Sequence, residues 1–420
     1  MQILRGMNDI LPPEIFLWQE VEQKARSFFG RYGYHEIRTP VLEDMSVFTR
    51  TIGETTNIVE KEMYVFQDRG GKWVALRPEG TASVVRAFIE HHLSQEEPVS
   101  RFFYTGPMYR YERPQKGGLH QFHQLGAEVF GIENPRIDAE VIHMVEGFFR
   151  ELGLKNFAIE VNSLGCPLCR PKFIAAFLDF LRKNEAQLCS DCQRRMERNP
   201  LRALDCHQET CQRLTDSGPS IQEALCADCE KAFDTVLITL GLLGSQYKVN
   251  PKIVRGLDYY IRTTFEVTSS SLGAQNALAG GGRYDGLVKL MGGPHVPGFG
   301  FAMGMERLVD VLAQERKAPT ETEDPLSQAR QGIFLAPLGD ASLVEAMKLA
   351  RQLREKGLTV LMDYDSKSLK SQLRRADKAG VRFVGILGED ELKKGVVTLK
   401  DLVTSQQEEV PLSQWINRFS

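Results

Sequence analysis

Apolar side chains in the N-terminal part of the chain follow first a helical and then a strand-like spacing. Residues 14–29 come after two prolines and are apolar at every third or fourth position, which predicts an amphipathic helix. Residues 30–40 are expected to turn into a strand. Residues 63–67 and 73–76 flank an Asp-Arg-Gly-Gly turn, which predicts a hairpin. Further strands are expected at residues 102–111, 121–130, 259–267 and 298–303, and a helix at residues 138–152.

Two later regions have patterns of their own. Residues 166–243 are helical in pattern and contain all eight cysteines of the chain, which indicates an inserted module. Residues 315–331 are polar and contain prolines, so we expect a linker there. Beyond it the pattern alternates as βαβαβ, which predicts a small α/β domain with a largely parallel sheet. The expected elements are strands 333–337, 359–363 and 383–387 and helices 341–356 and 368–379.

Composition narrows the classes of protein. A chain of 420 residues with 42% hydrophobic and 25% charged residues is neither disordered nor fibrous, and it is long enough for two or three domains. The net charge is −3, so any basic surface for nucleic acid must be local. No apolar run approaches the roughly 18 residues of a membrane span. We therefore expect a soluble, cytoplasmic protein that does not associate with membranes.

The strand at residues 121–130 carries candidate chemistry on one face. At a period of two, Gln124 and Glu128 lie on either side of Gly126, which predicts an open space with hydrogen-bonding walls. Arg110 ends the preceding strand and is suited to hold a zwitterion or a phosphate. An ordinary half-solvated strand is the alternative interpretation.

A second strand is nearly free of side chains on one face. Gly298, Gly300, Ala302 and Gly304 share this face, which would let a ligand lie flat against the backbone. Tight packing of a helix on the sheet would also explain the glycines. The strand leads to Arg307 at the start of a helix, a place suited to phosphate. Residues 279–287 are rich in glycine and are expected to form a turn.

The cysteines form four closely spaced pairs: Cys166/Cys169, Cys189/Cys192, Cys206/Cys211 and Cys226/Cys229. The first two pairs are nineteen residues apart, which is typical of a structural zinc site with Cys166, Cys169, Cys189 and Cys192 as ligands. The last two pairs could form a second site, with His207 as a competing ligand. Reduced cysteines without metal are the alternative.

Several of these segments together resemble a known family. GYHEIRTPVLE (33–43), RPEGT (77–81), the hairpin from Arg110 to Glu128 and the strand and helix from Gly298 to Arg307 are similar to class II aminoacyl-tRNA synthetases. RGLDYY (255–260) and GGRYDGL (281–287) resemble the two signatures of histidyl-tRNA synthetases. The resemblance runs from Arg5 to the C-terminal domain. One position departs from it: Gly118 stands where the family more usually has a basic residue.

The resemblance implies an α/β (α+β) fold with an antiparallel sheet flanked by helices, a helical cysteine-bearing insert and a C-terminal α/β anticodon-binding domain. The implied domains are residues 1–164 and 246–320 (catalytic), 165–245 (insert) and 332–420 (anticodon-binding). The implied reaction is ATP-dependent ligation of L-histidine to tRNA(His) through histidyl-adenylate, with ATP and Mg²⁺ as the substrate complex. A homodimer through residues 33–43 is implied as well. Zinc in the insert would be structural.

The resemblance also implies roles for single residues. Arg255 and Arg110 would act at the α-phosphate. ATP contacts are implied for Arg110, Glu112, Phe122 and Arg307, and histidine contacts for Glu79, Thr81, Gln124, Glu128, Tyr259 and Tyr260. Residues 366–382 carry a net charge of +5. By resemblance, tRNA contacts are expected there from Lys367, Lys370, Arg374 and Arg375, although a solvated surface helix is the default for such a charge run.

Two alternatives remain. A synthetase-like regulatory subunit of histidine biosynthesis would bind histidine without charging tRNA. Such proteins typically lack the C-terminal domain and lose the ATP-binding arginines, whereas this chain keeps Arg110, Arg255, Arg307 and residues 332–420. A class II synthetase for threonine, proline or glycine would share the C-terminal domain, but the segments at 255–260 and 281–287 argue against it.

Overall fold

The structure is a computed structural model, and it describes part of the chain. The described residues are 1–52, 56, 58–111, 119–206, 208–254, 257–272, 276–317, 330–365 and 368–419. The predictions made for Glu112, Gly118, His207, Arg255 and Lys367 fall outside these residues. The chain divides into two compact units, residues 1–318 and 319–420, and the cysteine-bearing segment belongs to the first.

The first unit is built on a large, mostly antiparallel sheet. Its strands, with those of a small second sheet, are β1 His35–Glu36, β2 Leu42–Asp44, β3 Val65–Gln67, β4 Trp73–Leu76, β5 Ser100–Tyr109, β6 Gln121–Phe130, β7 Ala158–Ser163, β8 Tyr247–Val249, β9 Ile261–Thr268, β10 Ala277–Arg283 and β11 Gly298–Gly304. The order in the large sheet is β1-β5-β6-β11-β10-β9-β7-β8, and β2-β4-β3 form the small sheet. Within the large sheet β1 with β5 and β7 with β8 are parallel, and the other described pairs are antiparallel.

The described α-helices of the first unit pack around its sheets or within the cysteine-bearing segment. They are α1 Glu14–Arg31, α2 Met45–Ile52, α3 Thr81–Glu90, α4 Leu93–Glu96, α5 Arg136–Glu151, α6 Arg170–Lys183, α7 Ser190–Met196, α8 Glu209–Asp216, α9 Ala227–Leu242, α10 Leu287–Leu290 and α11 Met305–Lys317. α1 buries Trp18, Val21, Ala25, Phe28 and Phe29, as its apolar period predicts. Phe29 packs against Phe103, Phe148 and Phe301, which joins α1, α5 and the sheet in one core.

The two faces of β6 separate this core from the side of the sheet that bears the candidate chemistry. Leu125, Ala127 and Val129 are buried in the core with α1 and α5. Because side chains of a strand alternate, Phe122 and Gln124 point to the opposite face. The predicted assignment of β6 residues to its two faces is confirmed.

Two local predictions are wrong. The expected strand at residues 30–40 is reduced to His35–Glu36, because α1 continues to Arg31. Within the glycine-rich segment 279–287, expected to be a turn, residues 279–283 lie in strand β10 instead, and the turn is confined to residues 285–286. A Cβ at Gly281 would lie 2.1 Å from the carbonyl oxygen of Gly300, so glycine here permits close approach to β11.

The second unit alternates strands and helices, as predicted. Its elements are β12 Ile333–Pro337, α12 Asp340–Glu355, β13 Val360–Met362, α13 Leu369–Lys378, β14 Phe383–Leu387, α14 Glu389–Lys394, β15 Val396–Asp401 and β16 Gln407–Pro411. The strand order is β13-β12-β14-β15-β16, with the first three parallel and the last two antiparallel. Trp415 is fully buried in its core. In the described part of the chain, no helix is both long and apolar enough to cross a membrane.

Candidate functional site

A cavity of about 240 Å³ lies where β6, β10 and β11 meet the segment before β9. Its wall contains most of the residues predicted for the site: Glu79, Thr81, Arg110, Phe122, Gln124, Tyr259, Tyr260 and Arg307. These positions span more than two hundred residues of sequence. The fold therefore brings together side chains that the sequence pattern alone does not connect.

The N-terminus of α3 forms one wall of the cavity. Both carboxylate oxygens of Glu79 accept backbone N–H bonds, from Thr81 at 2.7 Å and Ala82 at 2.8 Å. Gln124 Oε1 accepts a 3.2 Å bond from the backbone N–H of Gly80. Burial raises the pKa of Glu79, against the opposing effect of these N–H donors. The wall thus presents carboxylate and amide oxygens, which suit an ammonium group.

Arg110 and Phe122 form a second wall, on paired strands. The guanidinium carbon of Arg110 lies 5.1 Å from the centre of the Phe122 ring, within the range of a cation–π contact. Arg110 Nε also donates a 2.9 Å bond to the carbonyl oxygen of Pro78, which orients the side chain. A flat apolar ring beside a fixed cation suits an aromatic base with an attached phosphate.

Arg307 follows β11, in the first turn of α11. Its Nη1 donates a 2.9 Å bond to the carbonyl oxygen of Ala277 on β10. The preceding residue, Glu306, accepts bonds from the backbone N–H of His123 at 2.9 and 3.0 Å, and so ties the helix start to β6. No motif in the sequence marks Glu306, because only the register of β6 and β11 brings it to His123.

The structure corrects the prediction of open ligand surfaces over glycines. A Cβ at Gly126 would lie 2.5 Å from the Tyr104 ring, and one at Gly300 would lie 1.7 Å from Glu128 Oε2. Protein side chains therefore occupy the space over Gly126 and over Gly300. At these two positions glycine allows tight packing rather than ligand binding. Gly304 is different, because a Cβ there would meet only Arg307, at 4.0 Å, and this residue lines the cavity.

Glu128 is fully buried and is not among the described residues that line the cavity. Its Oε1 accepts a 2.7 Å bond from the Thr81 hydroxyl and a 3.3 Å bond from the Tyr104 hydroxyl. Its Oε2 accepts a bond from the Tyr284 hydroxyl. Burial raises the pKa of Glu128 to about 8, and the hydroxyl donors only partly offset this effect. Tyr104 and Tyr284 were missed because no local pattern marks a second layer of the site.

Tyr259 and Tyr260 precede β9, and their rings pack against each other at a tilt of 50° with centres 4.6 Å apart. Both line the cavity, and among the described residues no hydrogen-bond partner is found for the buried Tyr259 hydroxyl. Arg170, in α6 of the cysteine-bearing segment, donates a 2.9 Å bond to the carbonyl oxygen of Tyr260. The sequence did not indicate this link between the segment and the cavity wall.

The predicted cysteine quartet is wrong. In the described structure Cys166 and Cys169 meet Cys226 and Cys229, whereas Cys189 and Cys192 meet Cys206 and Cys211. The prediction used only the number of residues between cysteine pairs. The packing of the helices determines which pairs meet, and it brings the first pair to the last.

The basic helix of the second unit is α13. Lys370, Arg374 and Lys378 are exposed, while Ala376 is buried on the opposite face. Arg375, also predicted to contact tRNA, forms an ion pair with the fully buried carboxylate of Asp363. Its guanidinium is half exposed, but the pairing gives it a structural role as well.

Comparison with known proteins agrees with this geometry. A sequence model described as Histidyl-tRNA synthetase matches residues 6–308, and one described as Anticodon binding domain matches residues 333–420. Proteins named histidine–tRNA ligase from Geobacter sulfurreducens and Thermodesulfovibrio yellowstonii are 50% and 48% identical to this chain. The alignments cover 98% of this chain in both cases, and 97% and 96% of those proteins.

Solved structures agree as well. The crystal structure of apo histidyl-tRNA synthetase from S. aureus is 33% identical, with a TM-score of 0.82 over 100% of this chain and 99% of that one. A histidyl-tRNA synthetase from Nostoc, 21% identical over 99% of this chain and 98% of that one, shares the fold with a TM-score of 0.69. Since sequence similarity extends along almost the entire chain, the protein belongs to the histidyl-tRNA synthetase family.

Proposed function

We propose that this protein ligates L-histidine to tRNA(His), using ATP and forming histidyl-adenylate as the intermediate. The observation that carries the proposal is the single cavity that joins an ammonium-binding wall at Glu79 and Gln124 to a phosphate- and base-binding wall at Arg110, Phe122 and Arg307. A cavity of this composition suits an amino acid and a nucleotide held side by side. Family membership supports the same reaction.

In the first step the histidine carboxylate attacks the α-phosphorus of ATP, and the bond to pyrophosphate breaks. The nucleophile is already an anion, so no general base is needed. The barrier lies in bringing two anions together and in the negative charge on the phosphoryl oxygens, which fixed cations lower. Arg110 serves the α-phosphate and Arg307 the γ-phosphate in this proposal, and Mg²⁺ accompanies ATP. Arg255 and Glu112 are assigned by resemblance alone, at the α-phosphate and the adenine.

Recognition of histidine is proposed to rest on polar groups around the imidazole and the ammonium group. Glu79, Thr81 and Gln124 hold the ammonium group, and Tyr259 and Tyr260 contact the side chain. Glu128 lies one hydrogen bond behind Thr81, so it contacts the imidazole only if the ring replaces one of its hydroxyl donors. Buried polar groups that lose their partner with a wrong substrate discriminate by about 10⁴–10⁵ without editing.

In the second step a ribose hydroxyl at the 3′ end of tRNA attacks the adenylate carbonyl, and AMP leaves. The exposed basic side chains of α13 are proposed to contact tRNA phosphates, consistent with the match of residues 333–420 to an anticodon-binding domain. A homodimer through residues 33–43 is also proposed.

Amino-acid-dependent exchange of pyrophosphate into ATP tests the proposal. We expect exchange with histidine, and none above background with threonine, proline, glycine or the other amino acids. A charging assay with tRNA(His) then tests the second step. Exchange with another amino acid would overturn the proposed substrate, and histidine binding without any exchange would favour the regulatory alternative.

A further inference from the structure

The eight cysteines, all outside the cavity wall, gather into two groups of four in the described structure. The first cluster consists of Cys166, Cys169, Cys226 and Cys229, and the second cluster consists of Cys189, Cys192, Cys206 and Cys211. Within each cluster the four sulfur atoms lie within 4.8 Å of one another. All eight residues are free thiols rather than disulfides. Two closely spaced pairs from separate positions of the chain thus meet in each cluster.

The sulfur–sulfur distances fit a single tetrahedral ion. They are 3.7 Å for Cys166–Cys169, 3.8 Å for Cys166–Cys226 and 3.8 Å for Cys189–Cys206. A zinc–sulfur bond of about 2.3 Å places tetrahedral sulfur ligands about 3.8 Å apart. A disulfide would need about 2.05 Å. The spacing is therefore the one expected around zinc.

The backbone around the first cluster is shaped to admit sulfur. Gly165 has a φ of +66°, and a Cβ there would lie 2.7 Å from Cys169 Sγ. Glycine is the residue that allows both this conformation and this approach. The backbone N–H of Cys166 donates a 3.1 Å bond to Cys169 Sγ. In the second cluster the N–H of Cys189 donates a 3.2 Å bond to Cys211 Sγ. Donors of this kind stabilise thiolates bound to a metal.

The size of its helices and core indicates that the cysteine-bearing segment needs a bound metal for stability. Its helices α7 and α8 have seven and eight residues, too short to be stable from their own hydrogen bonds. Its separate apolar core includes Cys192 and Cys211 themselves. Small modules with a core of this size usually depend on a disulfide or a structural metal.

We propose that each cluster binds one structural zinc ion through four thiolates. Thiolate ligands in a tetrahedral set select zinc, and four protein ligands leave no open position for catalysis. The first site would clamp the two ends of the segment, since Cys166 and Cys169 follow β7 and Cys226 precedes α9. The second site would hold α7 to α8.

The first site also supports the cavity. Arg170, next to Cys169, donates to the carbonyl oxygen of Tyr260, and the N–H of Arg262 donates a 2.8 Å bond to the carbonyl oxygen of Gly165. Tyr260 and the chain that follows it are thus held by the residues that flank the first cluster. Loss of metal there should raise the KM for histidine more than loss at the second site.

Metal analysis of the full-length protein, purified with reductant and without chelator, tests the proposal. We expect about two zinc ions per chain. Two double variants test the pairing after a wash with a mild chelator. Cys166→Ser with Cys229→Ser should retain about one zinc, because both ligands belong to the first cluster. Cys166→Ser with Cys192→Ser should retain almost none. If instead the first two cysteine pairs along the chain shared one zinc and the last two pairs shared the other, the two variants would exchange their zinc contents. That result would overturn the assignment.

Met196→Leu is the matched control, since it changes a buried side chain of α7 without removing a ligand. It should keep both zinc ions. If the cysteine variants are insoluble, the absorption spectrum of wild-type protein loaded with Co²⁺ tests the proposal instead. Four thiolates around tetrahedral Co²⁺ give intense visible and near-ultraviolet bands. Absence of these bands, less than about 0.3 zinc per wild-type chain, or iron in place of zinc would overturn the proposal.

Discussion

The hydroxyl of Thr81 donates a 2.7 Å hydrogen bond to Oε1 of Glu128 and so joins the first residue of α3 to the central strand β6. Thr81 lines the cavity, whereas Glu128 is completely buried behind it. A carboxyl group in this position has lost its hydration, and burial raises its pKa to about 8. Near neutral pH it therefore keeps a proton in the folded protein.

Glu128→Gln should change how stability depends on pH. In wild type the unfolded chain releases the Glu128 proton above its ordinary pKa of 4.5, while the folded chain keeps it up to about pH 8. The folded state then binds more protons, so this group makes stability fall as pH rises, by up to ~1.4 kcal/mol per pH unit within that window. The variant should lose this contribution. Urea unfolding at pH 5, 6, 7 and 8 measures it.

An exposed carboxylate provides the control for this measurement. Glu133→Gln removes an exposed charge that takes no part in the buried hydroxyl network, so its stability curve should run parallel to that of wild type. Equal slopes for wild type and Glu128→Gln would show that Glu128 is ionised in the folded state, contrary to the prediction.

Tyr259→Phe should separate stability from substrate binding. The Tyr259 hydroxyl is buried without a described hydrogen-bond partner, so its removal should leave the free energy of unfolding unchanged or raise it by up to ~1 kcal/mol. If the hydroxyl serves histidine, the KM for histidine in pyrophosphate exchange should rise about threefold to tenfold, the worth of one hydrogen bond. Thermal unfolding and exchange kinetics check the two parts.

Tyr247→Phe is the matched control for this pair of measurements. The Tyr247 hydroxyl donates a 3.1 Å bond to the carbonyl oxygen of Leu237 and does not line the cavity. This variant should lose about 1 kcal/mol of stability and keep its KM. An unchanged KM for histidine in Tyr259→Phe would show that this hydroxyl does not contact the substrate.

Arg255→Ala should abolish histidine-dependent exchange without unfolding the protein. The assignment comes from the match of RGLDYY to the family signature, and the loss follows from removing a cation at the α-phosphate, where charge develops. Circular dichroism and exchange rates measure the two effects. Lys248→Ala, an exposed cation on β8, should keep full exchange. Near-normal exchange in Arg255→Ala would refute the assigned role.

Arg374→Ala and Arg375→Ala should differ although the residues are neighbours. Arg374 is exposed, so its loss should change stability by less than about 0.5 kcal/mol, raise the KM for tRNA and reduce the salt dependence of tRNA binding. Arg375 is paired with buried Asp363, so its loss should cost about 1–3 kcal/mol of stability. Filter binding at several salt concentrations and urea unfolding distinguish the two. Identical behaviour of the variants would contradict the structural role of Arg375.

Much of the fold could be predicted because periodicity is a local property. The alternation in β6 separates a buried face from a face with Gln124, and the period of α1 places Phe29 in the core. The prediction failed for β10, where local preference for a turn loses to the sheet. Strands β9 and β11 enclose this segment, and its glycines are required by the nearness of their backbones rather than by a bend.

The candidate site could be predicted where motifs mark residues that line it. Thr81, Arg110 and Arg307 were found in this way, and the structure places all three around one cavity. The side chains that pack behind these three residues were not predicted. Tyr104 and Tyr284 reach Glu128 from β5 and from the end of β10, and their contacts depend on strand register, which no short segment contains.

The sequence by itself determined most of the helices and strands, the buried faces of α1 and β6, and the family, because these depend on side-chain spacing and on motifs a few residues long. Only the tertiary structure decided which cysteine pairs meet, which glycines are covered by side chains, and that Arg375 is held by Asp363. These relationships join distant segments. Packing of helices and pairing of strands set the distances between such segments, and spacing along the chain does not.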